Sequence, residues 1–376
     1  MPITVAELEA VGREAGLCAV GFTTADPFPD VRAELVVRKA RGLAGGMQFT
    51  YRNPARSTDP DRSLPGATTL IVGAYDYQRL EPDRPADQPV GRVAAYSWED
   101  HYAALREGLD AMATVLRTAG NRATVIADQN HLVDRAVAHR AGIGWWGKSS
   151  NVLVPGVGSL VVLGSVLTDA PLEIATAAPV ADGCGSCRQC LDGCPTGAII
   201  EPGVIDARRC LAWLLQADGM FPAEHRDALG DRLYGCDDCQ DVCPPNQIRR
   251  RRPSDAGADG AWVPILDALD QDDDALIARL GRWYIPKRDP AYLRRNLLLV
   301  LGNIGDPGDP RVAAVMGRAL DDRRAVVRAH AVWACRRLGL DSLLGRVVDD
   351  TTPEVRAELD RVAVARAEAP TRPSTA

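Results

Sequence analysis

Eight of the ten cysteines in this 376-residue chain fall between Cys184 and Cys243, and so dense a set of thiols has to be either bridged or bound to metal. The first run is Cys184-x2-Cys187-x2-Cys190-x3-Cys194-Pro195. In that spacing three thiolates hold one 4Fe-4S cluster while the fourth reaches a second. A partner run follows as Cys236-x2-Cys239-x3-Cys243-Pro244, with Leu233 standing where its first cysteine would fall. Cys210 is the nearby thiol that can fill that place. Exchange of the fourth ligands assigns Cys184, Cys187, Cys190 and Cys243 to one cluster, and Cys194, Cys210, Cys236 and Cys239 to the other. A chain built this way moves electrons.

Zinc is the competing occupant, because Cys-x2-Cys pairs also make tetrahedral structural sites. The two Cys-Pro ends, the small turn residues Gly183, Gly185, Thr196 and Gly197, and the count of eight favour iron and sulfide. A disulfide framework is the weaker alternative, since a chain of this length buries a core without covalent staples. Cys18 and Cys335 stand apart in apolar helical surroundings and read as structural thiols.

With 46% hydrophobic and 25% charged residues, the composition is that of an ordinary soluble protein of roughly two or three domains. Met1 to Ala10 has no basic segment leading into an apolar core, and no apolar run is long enough to span a bilayer. The expected setting is the cytoplasm, away from membranes, where thiolates stay reduced. The net charge, 44 basic minus 50 acidic residues or -6, argues against a general nucleic-acid coat and leaves room for a local basic face.

Thr4 and Glu7 are spaced as a capping box, and Val5, Leu8 and Val11 recur at helical intervals, which predicts a helix over 4–16. A strand over 17–22 follows. Apolar runs at 69–75, 123–127 and 151–154 alternate with helical stretches at 98–119 and 131–141, an α/β pattern. Pro155-Gly156-Val157-Gly158 parts 151–154 from a further run at 159–167, a hairpin signal that predicts a mixed sheet. Residues 82–89, rich in proline and charge, read as an exposed loop. Beyond the cysteines, Arg249-Arg250-Arg251-Arg252-Pro253 and residues 254–260 form a charged, turn-rich linker.

From Trp262 the pattern is helical to the end. Asp322 and Asp350 each stand six residues before an arginine, Arg328 and Arg356, set in Val-Arg-Ala. The repeat is 28 residues, and Asp289 with Arg295 gives a weaker copy. These predict stacked helical hairpins of the HEAT type, too few to bury their faces alone. The expected organisation is an α/β (α+β) domain with a mixed sheet over 1–175, a ferredoxin-like double 4Fe-4S domain over 176–253, all-α HEAT-like repeats over 254–364 and a disordered tail over 365–376.

Clusters store and pass electrons, so another element has to meet a substrate. No Gly-x-Gly-x-x-Gly stands between a strand and a helix, and a nicotinamide fold is not indicated. The densest unusual segment runs from Asp128-Gln-Asn-His-Leu-Val-Asp134-Arg135 to Ala141-Gly-Ile-Gly-Trp-Trp-Gly-Lys148. Its glycines and tryptophans suit a backbone approaching something flat and large; they suit equally a helix end at Gly142, a tight turn and two core tryptophans. On physics alone the second reading is the stronger.

Three segments together closely resemble the epoxyqueuosine reductase family: Cys184-Gly-Ser-Cys-Arg-Gln-Cys-Leu-Asp-Gly-Cys-Pro-Thr-Gly-Ala198, Asp206-Ala-Arg-Arg-Cys210 and Tyr234-Gly-Cys-Asp-Asp-Cys-Gln-Asp-Val-Cys243-Pro244. Ala141 to Lys148, Gly158-Ser-Leu-Val-Val-Leu-Gly164 and Arg295-Asn-Leu-Leu-Leu-Val-Leu-Gly-Asn303 are similar to further blocks of that family, so the likeness covers nearly the whole chain in order. It implies a cobalamin-dependent, corrinoid-binding reductase related to reductive dehalogenases, acting on epoxyqueuosine in the anticodon of a tRNA. Electrons from an external donor, which the sequence does not name, would reach the cobalt through the two clusters; a monomer is expected.

The resemblance also implies a catalytic aspartate at a strand end, fourteen residues before Gly142, which is Asp128. Asp128 has a structural reading too, as N-cap of the following helix. Asp134 stands in place of a family glutamate and reads as a helix ion pair with Arg135. Arg52, in Gly46-Met-Gln-Phe-Thr-Tyr-Arg52, matches a family arginine near the cobalamin, and Gly144, Trp146 and Lys148 are further expected contacts. None of His101, His131, His139, His225 and His330 sits in a cobalt-ligating motif. Gln129-Asn130-His131, Ser149 and Leu160-Val161-Val162 depart from the family pattern. Those departures keep open a paralogous reductase for a non-RNA substrate. A simple iron-sulfur carrier would leave the extra domains without a role. Arg249, Arg250, Arg251, Arg252, Lys287, Arg288, Arg294 and Arg295 are the candidate phosphate contacts for tRNA.

Anaerobically purified protein is expected to carry about eight irons, four per cluster. Cys210→Ser should damage one cluster and spare most of the other, read by iron content and visible absorption; stoichiometric zinc without that absorption would refute the assignment.

Overall fold

Strands β1 (Ala19–Thr24), β2 (Thr69–Asp76), β3 (Ala123–Ala127) and β4 (Val161–Thr168) form a four-stranded sheet in the order β1-β2-β4-β3. They belong to a computed structural model that describes residues 3–175, 178–250 and 260–361. The described residues of Met1–Glu81, Ala95–Cys210 and Asp237–Ala258 make one compact unit, and those of Pro82–Ala94, Leu211–Cys236 and Asp259–Ala376 make another.

All three ladders of the four-stranded sheet are antiparallel, with Val20 opposite Gly73, Ala74 opposite Leu163 and Val125 opposite Val166. The mixed sheet expected for this region is corrected accordingly. The 155–158 turn closes a single bridge, Val154 to Gly158, while Val152–Leu153 pairs back onto Trp145–Trp146. The reason lies in β4, whose near-continuous apolar run suits a central strand covered on both faces. Between β2 and β3 it finds a ladder on each edge.

Period-two alternation divides β2 between the two faces. Leu70, Val72 and Ala74 join Ile126 and Leu167 in one core with Ala136, Val137 and Ala141 of the helix region at α3 (Asp134–Arg140). Toward the other face, α1 (Val5–Glu14) packs on α2 (His101–Thr118), and α2 lies on β2, β3 and β4. A Cβ at Gly73 would stand 2.8 Å from Leu17 and 2.9 Å from Leu109, and one at Gly164 would stand 2.8 Å from Leu109. These two residues let α2 sit down on the sheet. At the start of α1, Thr4 Oγ1 accepts the Glu7 N–H at 3.2 Å, half of the anticipated capping box.

In the second unit Val90–Val93 is the central strand of three, parallel to Arg232–Tyr234 and antiparallel to Trp262–Pro264. Trp262 was expected to open the helical region and instead occupies a strand, where its Nε1 donates to the Pro82 carbonyl at 3.0 Å. Helices α4 (Ala291–Ile304), α5 (Pro310–Leu320), α6 (Ala325–Leu338) and α7 (Pro353–Asp360) follow, with α6 packed against the other three. The 28-residue repeat has a physical expression here. Arg328 Nε donates to Asp350 Oδ2 at 2.7 Å and its Nη1 to the Asp322 carbonyl at 2.8 Å, so one repeat's arginine joins both repeats' aspartates.

A bidentate pair is fully enclosed in the same unit. Arg226 Nη2 and Nη1 donate to Glu358 Oε1 at 2.7 Å and Oε2 at 2.9 Å, the side chains being 2% and 3% exposed. The anticipated tail over 365–376 and Arg251, Arg252 and residues 254–259 of the linker lie outside the described residues. Among those described, no helix is long and apolar enough to cross a membrane.

Glu358→Ala strands the Arg226 guanidinium without its counter-charge, and should cost about 3 to 5 kcal/mol of stability. Urea unfolding of the variant should show that loss, and Glu358→Gln, which keeps one acceptor, should lose less.

Candidate functional site

The first cysteine run meets Cys239 and Cys243 of the second in the first unit. Cys190 lies on the short helix Gln189–Asp192 and Cys243 follows the short helix Asp238–Asp241, and these helices touch. Gly193 is set so close to Val242 that a Cβ there would come within 3.0 Å of it. Burial pushes the Cys243 thiol up to about 11, and the nearby thiols of Cys190, Cys184 and Cys187 push in the same direction. The Cys190 thiol is raised too, by burial and then by Cys184 and Cys187. Four part-buried thiols in electrostatic reach of one another suit ligands that give up their protons to the irons of a cluster. The donor set therefore fits a 4Fe-4S centre. Of the other four clustered cysteines, Cys194 Sγ accepts the Ala198 N–H at 3.1 Å, and Thr196 Oγ1 donates to the Arg209 carbonyl at 2.5 Å, tying the turn after Cys194 to the residue before Cys210. Cys239 sits on the Asp238–Asp241 helix, and Cys236 packs against the second unit's core of Leu211, Leu214, Phe221 and Leu229.

A buried polar knot fastens the second run to the sheet. Asn246 is fully enclosed. Its Oδ1 accepts the Ser159 N–H at 2.8 Å, while its Nδ2 donates to Ser159 Oγ and to the Gln240 carbonyl, both at 2.9 Å. Ser159 Oγ donates to Gln240 Oε1 at 2.9 Å, and Gln240 Nε2 donates to Asp237 Oδ1 at 3.1 Å. Asp237 Oδ2 accepts the Ala95 N–H at 2.6 Å. Gly158, at φ 99°, leaves the space that Asn246 Oδ1 occupies. Nothing in the sequence around Asn246 signalled this role, because Ser159 lies in a distant segment.

Asp128 directly follows β3 in left-handed backbone, φ 55°, which costs a non-glycine residue free energy and marks a constrained position. It does not cap the next helix; α3 starts at Asp134 after Val133. Asp128 retains solvent access, yet enough protein crowds its carboxyl for desolvation to raise the pKa, with Arg106 opposing and Asp100 adding. Asp134 is more enclosed. Burial and then the Asp128 charge push its carboxyl up to about 8, against the pull of Arg135 and of its own backbone N–H. The expected Asp134–Arg135 ion pair does not form, because Arg135 Nη1 donates to the Ser150 carbonyl at 2.7 Å. Asp134 Oδ1 and Asn130 Oδ1 are buried with no partner among the described residues. The Tyr102 phenol, at the start of α2, is raised by burial and by both carboxyls, Arg135 and Arg106 opposing. His131 is engaged by Arg56, Nη2 to Nε2 at 2.7 Å.

The glycine-tryptophan segment follows its structural reading. Gly142, at φ 71°, ends α3, its N–H bonded to the His139 carbonyl, and Ile143 N–H returns to Ala138. Gly144 packs its backbone on the Leu153 carbonyl, and Trp146 meets the His139 ring edge-on at 6.0 Å. Trp145 covers Gly183 and leaves a buried Nε1 without a partner among the described residues. Gly142-x4-Gly147-Lys148-Ser149 also spells the spacing of a phosphate-binding loop. That motif needs a strand before it and a helix after it, whereas here a helix precedes and the short Trp145–Trp146 strand lies inside. Lys148 Nζ donates to the carbonyls of Gly185 and Cys187 at 2.6 and 2.9 Å, so it is spent on the cysteine loop rather than free for a cofactor. Arg52 is exposed.

Two of the expected phosphate contacts are corrected. Arg295 is 0% exposed and donates to the carbonyls of Ala217, Gly219, Leu214 and Leu215. Arg294 is drawn to Asp273 at 3.0 Å and to the Leu269 and Gln271 carbonyls. Lys287 is 78% exposed beside Asp218, and Arg288 donates to the Gly281 carbonyl at 3.0 Å. Arg249 and Arg250 end the helix Pro244–Arg250, and Arg251 and Arg252 lie outside the described residues.

Residues 183–246 match the 4Fe-4S double cluster binding domain, a span that holds all eight clustered cysteines. The chain is 33% identical over 347 residues to the epoxyqueuosine reductase of Bacillus subtilis, covering 89% of the chain and 87% of the relative. It is 34% identical to that of Xanthomonas campestris pv. campestris, covering 89% and 96%. A crystal structure of an epoxyqueuosine reductase with a tRNA-Tyr epoxyqueuosine-modified tRNA stem loop aligns at a TM-score of 0.86 with 30% identity, over 94% of this chain and 96% of that one. A Bacillus subtilis structure with an aspartate catalytic loop swung out of the active site aligns at 0.85 with 29% identity, over 94% and 96%.

The carboxyl of Asp134 titrates near pH 4 when unfolded and at about 8 when folded. Its contribution to stability is complete below the lower value and is lost as pH rises through the upper one. The urea midpoint of the protein should fall across that window, and Asp134→Asn should flatten the slope; an unchanged slope would show that the buried carboxyl does not titrate there.

Proposed function

The chain belongs to the epoxyqueuosine reductase family, and from that premise we propose how its residues convert epoxyqueuosine to queuosine in tRNA. The observation that carries the reading is one compact unit that holds both a constrained aspartate at the end of β3 and a gathered thiol set. Cys184, Cys187, Cys190 and Cys243 hold one 4Fe-4S cluster; Cys194, Cys210, Cys236 and Cys239 hold the other. Cobalamin, when bound, supplies a strongly reducing cobalt centre. Asn130 Oδ1, Asp134 Oδ1 and Trp145 Nε1, without partners among the described residues, support such a ligand in this unit, since a large molecule carrying amides satisfies buried polar atoms of this kind.

Turning an epoxide into an alkene and water consumes two electrons and two protons. Asp128 delivers a proton to the epoxide oxygen as the carbon-oxygen bond breaks. Desolvation favours its protonated form, and the fixed left-handed backbone aims it from a strand end. Asp134, whose carboxyl feels the Asp128 charge, is a second carboxyl that resists ionising while Asp128 is charged. Lys287 and the 249–252 arginines support tRNA contact by charge. The helices from α4 to α7 serve as HEAT-like repeats within the second unit. We place the protein in the cytoplasm as a monomer supplied by an external electron donor.

Asp128→Asn keeps the shape of the residue and its tolerance of left-handed backbone, so the fold and both clusters should persist. Single-turnover reduction should fall by roughly a hundredfold or more, with cobalt reduction followed in the same sample and unaffected. Asp134→Asn should lose far less. Near-normal turnover in Asp128→Asn would require another proton donor.

A further inference from the structure

Lys148 is held at both ends. Its ammonium donates to the Gly185 and Cys187 carbonyls at 2.6 and 2.9 Å, and its own carbonyl accepts the Gly203 N–H at 2.9 Å. Ser150, two residues on, donates through Oγ to the Gly203 carbonyl at 3.0 Å and accepts from Arg135 Nη1 at 2.7 Å. The side chain therefore has little freedom to leave. Among the described residues no carboxylate lies within ion-pair distance of Nζ, so its charge is not cancelled locally. The loop it grips carries Cys184 and Cys187, which gather with Cys190 and Cys243.

We propose that Lys148 is a fixed cation that raises the reduction potential of the cluster held by Cys184, Cys187, Cys190 and Cys243. The inference rests on the two-cluster reading above. Each electron added to a thiolate-bound cluster makes it more negative, and a cation held against its loop stabilises the reduced form more than the oxidised one. Neutral donors could satisfy the two carbonyls equally well as hydrogen-bond partners. A neutral donor keeps those hydrogen bonds and removes only the charge's contribution to the potential. Lys148 is thus a positioning and tuning residue for electron transfer, separate from any contact with substrate.

The test is an anaerobic redox titration of the full-length protein with both clusters loaded, followed by electron paramagnetic resonance. Lys148→Gln and Lys148→Met remove the charge, and Lys148→Arg retains it. At a fixed applied potential the reduced-to-oxidised ratio of one cluster should drop about tenfold in the Gln and Met variants, equivalent to about 59 mV for one electron. It should return most of the way in the Arg variant. The second cluster should move less and serves as the internal reference. Unchanged potentials in Gln and Met variants that keep eight irons would overturn the inference. So would loss of the cluster in both, with retention in Arg, because Lys148 would then be a structural clamp. A wild-type protein without two iron-sulfur signals would instead refute the underlying reading, before any variant is compared.

Discussion

Thiols from two separated runs can share clusters only if both runs are held to a common frame, and the enclosed amide of Asn246 is what holds the second. Its carboxamide uses both ends, accepting from Ser159 N–H and donating to Ser159 Oγ and the Gln240 carbonyl. Loss of any member leaves buried donors or acceptors unmet, at roughly 1 to 3 kcal/mol apiece. Such a knot is also directional, unlike apolar packing, so it fixes the angle at which the Asp238–Asp241 helix presents Cys239 and Cys243. The main sheet contributes to the cluster region through this route rather than through a ligand of its own.

The elements with local causes were legible in the sequence. The strand at 123–127 appears at the expected bounds, and α1 begins at the Thr4 cap because a side-chain oxygen and a backbone N–H three residues apart need no tertiary help. The double-cluster domain was legible for the same reason, since cysteine spacing within each run is a local constraint. Pairing was not. The hairpin expected around 155–158 shrank to one bridge because β4 gains more from two ladders in a covered interior than from one beside Val152–Leu153. Trp262 became a strand residue through Val90–Val93, a segment that lies far from it in sequence.

The charged residues show the limit most clearly. Arginine is read as solvated because its desolvation is costly. Arg295 overrides that expectation through carbonyls supplied by residues 214–219, a set of acceptors no pattern around Arg295 reveals. Asp134 and Arg135 are neighbours of opposite charge, yet they part because Ser150, also in left-handed backbone, offers its carbonyl to the guanidinium. Within the candidate site, residue types were visible from the sequence; which of them face one another was decided by distant segments.

The backbone of Asp128 has an evolutionary consequence. A residue at φ 55° is easily exchanged only for glycine or asparagine, since other side chains crowd the following carbonyl. Glutamate at the same position would therefore carry a conformational cost that aspartate largely avoids. Adaptation to a new substrate or acidity has to travel through the surrounding shell, where Asp100, Arg106 and Asp134 already set the local field.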